Sequence, residues 1–61
     1  MTRLKKMRFK RKIKQNMLAR ELGVKPSSVC ELEKNGIRNV NTAKRYAAVL
    51  FCEPEMLFEI N

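Results

Sequence analysis

Residues 15–34 read QNMLARELGVKPSSVCELEK, and this stretch decides the fold. Met17, Leu18, Ala19 and Leu22 recur at helical spacing from about residue 15 to 22, and Gly23 follows the last apolar position, where a left-handed residue commonly ends a helix. Pro26 suits the first turn of a second helix of about ten residues, because its missing N–H costs nothing there. Val29 and Leu32 continue the apolar spacing until Asn35-Gly36 closes it. Ala19 is small enough for two helices to cross closely above it, Gly23 supplies the sharp turn, and Val24, Val29 and Leu32 pack the angle between the helices. A helix, a three-residue turn and a helix make a helix-turn-helix.

On the N-terminal side, Leu4, Met7 and Arg11 share one face of a helix over residues 3–11, capped by Thr2 and backed by the aliphatic stem of Lys10. On the other side, Asn39 caps a helix from about 40 to 51. Its inner face is Ala43, Tyr46, Ala47 and Leu50, and Leu50 with Phe51 is expected to extend the core. Glu53-Pro54 then opens a fifth short helical turn carrying Met56, Leu57 and Phe58. The expected class is all-α: five short helices in one compact domain over residues 1–61.

A chain of 61 residues buries only about 60% of the surface its unfolded form exposes, which leaves no material for a deep substrate cleft with supporting side chains. An enzyme is not expected, and no catalytic residue is assigned. Lys and Arg number 14 against six Glu and no Asp, a net charge of +8. Residues 1–14 hold eight of those bases and no acid, whereas residues 53–61 hold Glu53, Glu55 and Glu59 and no base. Such asymmetry points to a polyanion, either nucleic acid or an anionic membrane surface.

Membrane-active helices pair a basic face with a continuous apolar one, and residues 1–14 scatter Leu4, Met7, Phe9 and Ile13 between charges, so the membrane reading is the weaker. No stretch approaches 18 consecutive apolar residues, and no 7–15-residue apolar run follows the basic start, so neither a spanning helix nor a signal peptide is expected. Cys30 and Cys52 lack metal-ligand spacing and no His accompanies them, so no metal, no cofactor and no disulfide framework is indicated. A reducing cytosol fits best. Cys52 reads as core, and Cys30 as a small residue on the second helix of the motif.

The run resembles the Cro and repressor-type helix-turn-helix domains of phage and bacterial regulators, a lambda-repressor-like architecture. Gln15, Leu18, Ala19, Leu22, Gly23, Val24, Val29, Leu32 and Glu33 fit its pattern Q-x-x-L-A-x-x-L-G-V-x-x-x-x-[IV]-x-x-[IL]-E. Leu4-x-x-Met7-Arg8 looks like the first helix of that family, and Ala47-x-x-Leu50 through Leu57 like its fourth and fifth. Lys12 stands in place of a usual Gly, Lys14 and Lys25 in place of capping Ser, Phe51 in place of a C-terminal Gly, and Asn35 looks like an insertion before Gly36.

The resemblance implies a sequence-specific transcriptional regulator, a repressor occupying a palindromic site on double-stranded DNA as a homodimer. Projection at about 100° per residue puts Val29, Leu32 and Glu33 on one face of the second motif helix and Ser27, Cys30, Glu31 and Lys34 on the other. The second is the face available to a major groove. Family geometry implies that Pro26, Ser27, Ser28 and Glu31 approach base edges, with Lys25 beside them. It also implies that Gln15, aided by Lys14, contacts phosphate. Lys34 and Arg38 complete the expected DNA-binding set. Glu33 is expected to pair with Arg8 beneath the motif, and the apolar residues Phe51, Met56, Phe58 and Ile60 form the candidate dimer interface. The competing reading is an antitoxin or adaptor whose main partner is another protein.

Overall fold

A computed structural model describes residues 1–59, leaving Ile60 and Asn61, and with Ile60 one expected dimer residue, outside the described set. Four α-helices follow one another: α1 (Arg3–Lys10), α2 (Gln15–Leu22), α3 (Pro26–Asn35) and α4 (Val40–Leu50). A single 3₁₀ turn, Pro54–Met56, stands where a fifth helix is expected from the sequence. Beyond it Leu57 drops into the core, Phe58 pairs in parallel with Ile37 as an isolated bridge and Glu59 donates its N–H to the Ile37 carbonyl at 2.8 Å, so the helical turn goes no further.

Each boundary has a local cause. Thr2 Oγ1 accepts the Lys5 N–H at the start of α1, and Asn39 Oδ1 accepts the N–H groups of Asn41 (2.8 Å) and Thr42 (3.2 Å) at the start of α4. α2 stops at Gly23, whose φ of 69° is left-handed as the sequence requires. α4 stops one residue earlier than its apolar run suggests, because Phe51 itself takes the left-handed conformation at φ 55°. Its ring therefore turns away from the core and is 82% exposed, contrary to the expectation that it extends the interior. Met17, counted with the apolar set of α2, is likewise more than half exposed.

The core is built from Leu4, Leu18, Val29, Ile37, Leu50 and Leu57, each fully withdrawn from solvent, with Ala19, Ala43, Tyr46 and Ala47 filling between them. Ala19 lets α2 and α3 approach closely. Cys52 and Phe58 are half-buried against this cluster. The beginning of the chain is tied to its far side: Arg3 donates its backbone N–H to the Glu59 carboxylate and its guanidinium to the Glu55 carbonyl. Arg11 donates to the carbonyls of Leu50 and Phe51, both at 2.9 Å. Among the described residues no helix is long and apolar enough to cross a membrane.

Candidate nucleic-acid interface

The motif is held from below by one polar cluster. Arg8 reaches from α1 to Glu33 on α3 through Nε and, at 3.1 Å, through Nη2, and the side chains are only 9% and 2% exposed. Arg8 Nη1 donates to the Ile13 carbonyl at 2.8 Å, and Gln15 Nε2 donates to Glu33 Oε1 at 2.8 Å. The Glu33 carbonyl accepts Thr2 Oγ1 at 2.8 Å. The Phe9 ring lies over the Arg8 guanidinium, 4.8 Å from ring centre to Cζ, with Lys5 Nζ on the same ring at 5.8 Å. Glu33 thereby joins α1, the start of α2 and α3, and fixes how α3 presents its other face.

That other face is open. Ser27, Ser28, Glu31 and Lys34 are exposed and Cys30 is half-buried, whereas Val29 and Glu33 are buried and Leu32 is half-buried. α3 has ten residues, about 15 Å of helix to lay along a groove. Among the described residues the one ion pair is Arg8–Glu33, so Glu31 is not engaged by Lys34 one turn on.

The two motif helices begin differently from the other two. Lys14 and Lys25 occupy the N-cap positions of α2 and α3 in extended conformation, and neither start has a side-chain cap, unlike the starts of α1 and α4. The N–H groups of Gln15, Asn16 and Met17 are therefore free for an outside acceptor at the start of α2, whereas α3 offers only that of Ser27, because Pro26 has none and Ser28 donates to the Lys25 carbonyl at 2.9 Å; each start lies beside an exposed lysine. At the far end of α3, Lys34 and Arg38 border an open hollow of about 450 Å³ together with Lys5. Of the expected DNA-binding residues, Lys25, Pro26, Ser27, Ser28, Glu31 and Lys34 lie at the start and along α3 and Arg38 follows its end, whereas Lys14 and Gln15 begin α2 and the Gln15 side chain turns inward to Glu33.

The structure does not gather the expected dimer residues into one hollow. Phe51 lies beside Met17 and Val49, Met56 beside Arg3, Lys6 and Lys10 of α1, and Phe58 beside Val40 and Ala43. Sequence reasoning missed the bond from Gln15 to Glu33, the Phe9 ring over Arg8 and the reach of Arg11 to α4. The only sequence signal for the first is the pairing of a polar α2 start with a carboxylate on the inner face of α3.

Four helices with the second and third set as a tight angled pair, one outer face polar and flanked by cations, define a helix-turn-helix DNA-binding domain. The helix-turn-helix family profile matches residues 4–57, and the chain belongs to this family in its Cro and repressor form. It is accordingly a DNA-binding transcriptional regulator. No curated protein and no solved structure matches the chain.

Proposed function

We propose that the protein is a repressor acting in the reducing cytosol, where two copies occupy a palindromic operator with each α3 in the major groove. The observation that carries this reading is the pair of uncapped helix starts at Lys14 and Lys25, flanking an α3 face that is exposed and polar. Free N–H groups and the positive end of the helix dipole favour phosphate, and a lysine at each start adds a mobile charge. Lys34 and Arg38 meet the phosphates at the other end of α3. Ser27, Ser28 and Glu31 read base edges between them, with Pro26 setting the direction of the first turn.

Gln15 serves through its backbone here, since its side-chain amide is committed to Glu33. A single module buries only about 600–1,000 Å² on DNA, which limits specific affinity and favours pairing across a dyad. The pairing face lies on the side of α4 and the 3₁₀ turn, where Val40, Ala43, Pro54 and Phe58 line an apolar hollow. Repression follows from occupancy alone.

Genomic footprinting followed by a salt titration on the recovered site tests the reading. Affinity is expected to fall steeply with salt, and Lys14→Ala to lower the slope by about one unit. Sedimentation is expected to give two chains per site, with recognition helices about 34 Å apart. A salt slope unchanged in Lys14→Ala removes the α2 phosphate contact, and one chain per saturated site removes the pairing.

A further inference from the structure

Lys12 and Phe51 are the two described residues other than glycine with positive φ, a conformation that disfavours any side chain bearing a Cβ. Between α2 and α4 lies an open hollow of about 460 Å³ lined by Ile13, Met17, Glu21, Ala48, Val49 and Phe51, and Lys12 directly precedes Ile13. Arg11 ties the two strained sites together through its bonds to the Leu50 and Phe51 carbonyls. Phe51 is 82% and Met17 53% exposed, so the chain alone gains little from either side chain. A strained backbone that presents a large ring to water is explained when something else covers the ring.

The charges around the hollow select what covers it. Arg11 lies against the carbonyl of Phe51, Arg45 donates to the Leu22 carbonyl beside Glu21 at 3.2 Å, Lys44 stands one turn before Ala48, and Lys12 flanks Ile13. Arg11 and Arg45 thus border the hollow and Lys12 and Lys44 adjoin its lining residues in sequence, against Glu21 in the lining and Glu53 two residues beyond Phe51. A second copy of this chain, itself at +8, would bring the same cations against them. None of the lining residues belongs to α3 or to the set assigned to DNA.

We propose that this hollow docks an acidic amphipathic helix of a protein partner. Two large apolar side chains of that helix, at i and i+4, enter between Met17 and Phe51, while its carboxylates meet Arg11, Lys12, Lys44 and Arg45. The docking surface is independent of the operator reading and stands or falls separately from it.

The probe is a synthetic helical peptide, Glu-rich on one face with Leu and Phe at i and i+4 on the other, titrated into the full chain by heteronuclear NMR. Two control peptides replace Glu by Lys or the apolar pair by Ala. Saturable binding is expected to shift the amides of Ile13, Met17, Ala48, Val49 and Phe51, and to disappear with both controls. In Phe51→Gly the affinity is expected to fall about tenfold or more, with an equal or higher melting temperature. Met17→Gln, at an exposed helical position, is expected to weaken the peptide in the same direction. Absence of binding, equal binding of the Lys peptide, shifts elsewhere, or undiminished affinity in both variants overturns the proposal. So does self-association of the chain that perturbs the same amides, because the occupant is then a second copy.

Discussion

Arg8 of α1 and Glu33 of α3 form an ion pair almost wholly withdrawn from water, and Glu33 accepts in addition from Gln15 of α2. Three helices therefore depend on one carboxylate. Removing one partner of a buried pair costs about 3–5 kcal/mol, a large share of the roughly 5–15 kcal/mol typical of whole domains. Glu33→Ala is expected to lose most of its helical circular dichroism at ambient temperature and its DNA binding with it. Replacing both partners by Met and Leu is expected to restore much of the fold, since no charge is then left unpaired. A Glu33→Ala protein that melts where the parent does would contradict the role given to the pair.

Glu31 offers a carboxylate on the exposed face of α3 in a protein that otherwise gathers positive charge for phosphate. Lys34 does not engage it, and under the proposed operator reading the carboxylate accepts a hydrogen bond from a cytosine amino group. Glu31→Gln is expected to weaken the cognate site by about 1–3 kcal/mol and to shift preference at one base pair toward adenine. Selection from randomised DNA checks this. Recovery of the parental consensus with uniformly higher affinity would leave Ser27 and Ser28 as the readers.

Four left-handed residues separate backbone strain from collision. Lys12→Gly is expected to stabilise the domain by about 1 kcal/mol, because only the conformational penalty is removed. Gly23→Ala is expected to destabilise by a similar amount, as an added Cβ meets nothing within 4 Å. Gly36→Ala is expected to cost more, since its Cβ would stand 2.6 Å from Glu59 Cγ and 2.9 Å from Glu59 Cβ. Denaturant midpoints of the three variants give the order directly, and an equal loss in the two alanine variants would remove the packing of Glu59 on Gly36.

Burial pushes the Tyr46 phenol above its ordinary value of about 10; Arg45 pulls it down and Glu33 adds a further push upward. The folded state then holds the phenolic proton more tightly than the unfolded state. This contribution to stability is complete below about pH 10 and is lost as pH rises through the folded value. Tyr46→Phe is expected to flatten the alkaline decline in denaturant midpoint relative to the parent. Parallel declines for the two proteins would show that Tyr46 does not titrate differently on folding.

The helices were legible in the sequence because their causes are local. Gly23, Pro26 and Asn39 act on the backbone within a turn of themselves, and the spacing of Ala43, Tyr46, Ala47 and Leu50 is a pattern within one helix. Phe51 was misplaced because an apolar residue after an apolar stripe gives no warning that its backbone turns left-handed. The fifth helix shrinks to one turn because Phe58 bridges to Ile37 and Glu59 donates to the Ile37 carbonyl, contacts some twenty residues apart that no local pattern announces. At the candidate interface, the outward positions on α3 follow from helical periodicity. The commitment of the Gln15 side chain does not, because its partner lies 18 residues away on another helix.

The bonds from Thr2, Arg3 and Arg11 to Glu33, Glu55, Glu59 and the end of α4 also bear on the order of events during synthesis. α1 leaves the ribosome first, yet every group that anchors it is translated later. At about 5–20 residues per second the segment up to Glu59 takes about 3–12 seconds to appear, far longer than a small helical domain needs to fold. Chain delivery, not folding, therefore sets when α3 becomes competent. A message cut short before residues 54–59 yields a nascent chain whose α1 lacks its anchors on that segment, so partial translation products are expected to be proteolysed rather than to compete for the operator.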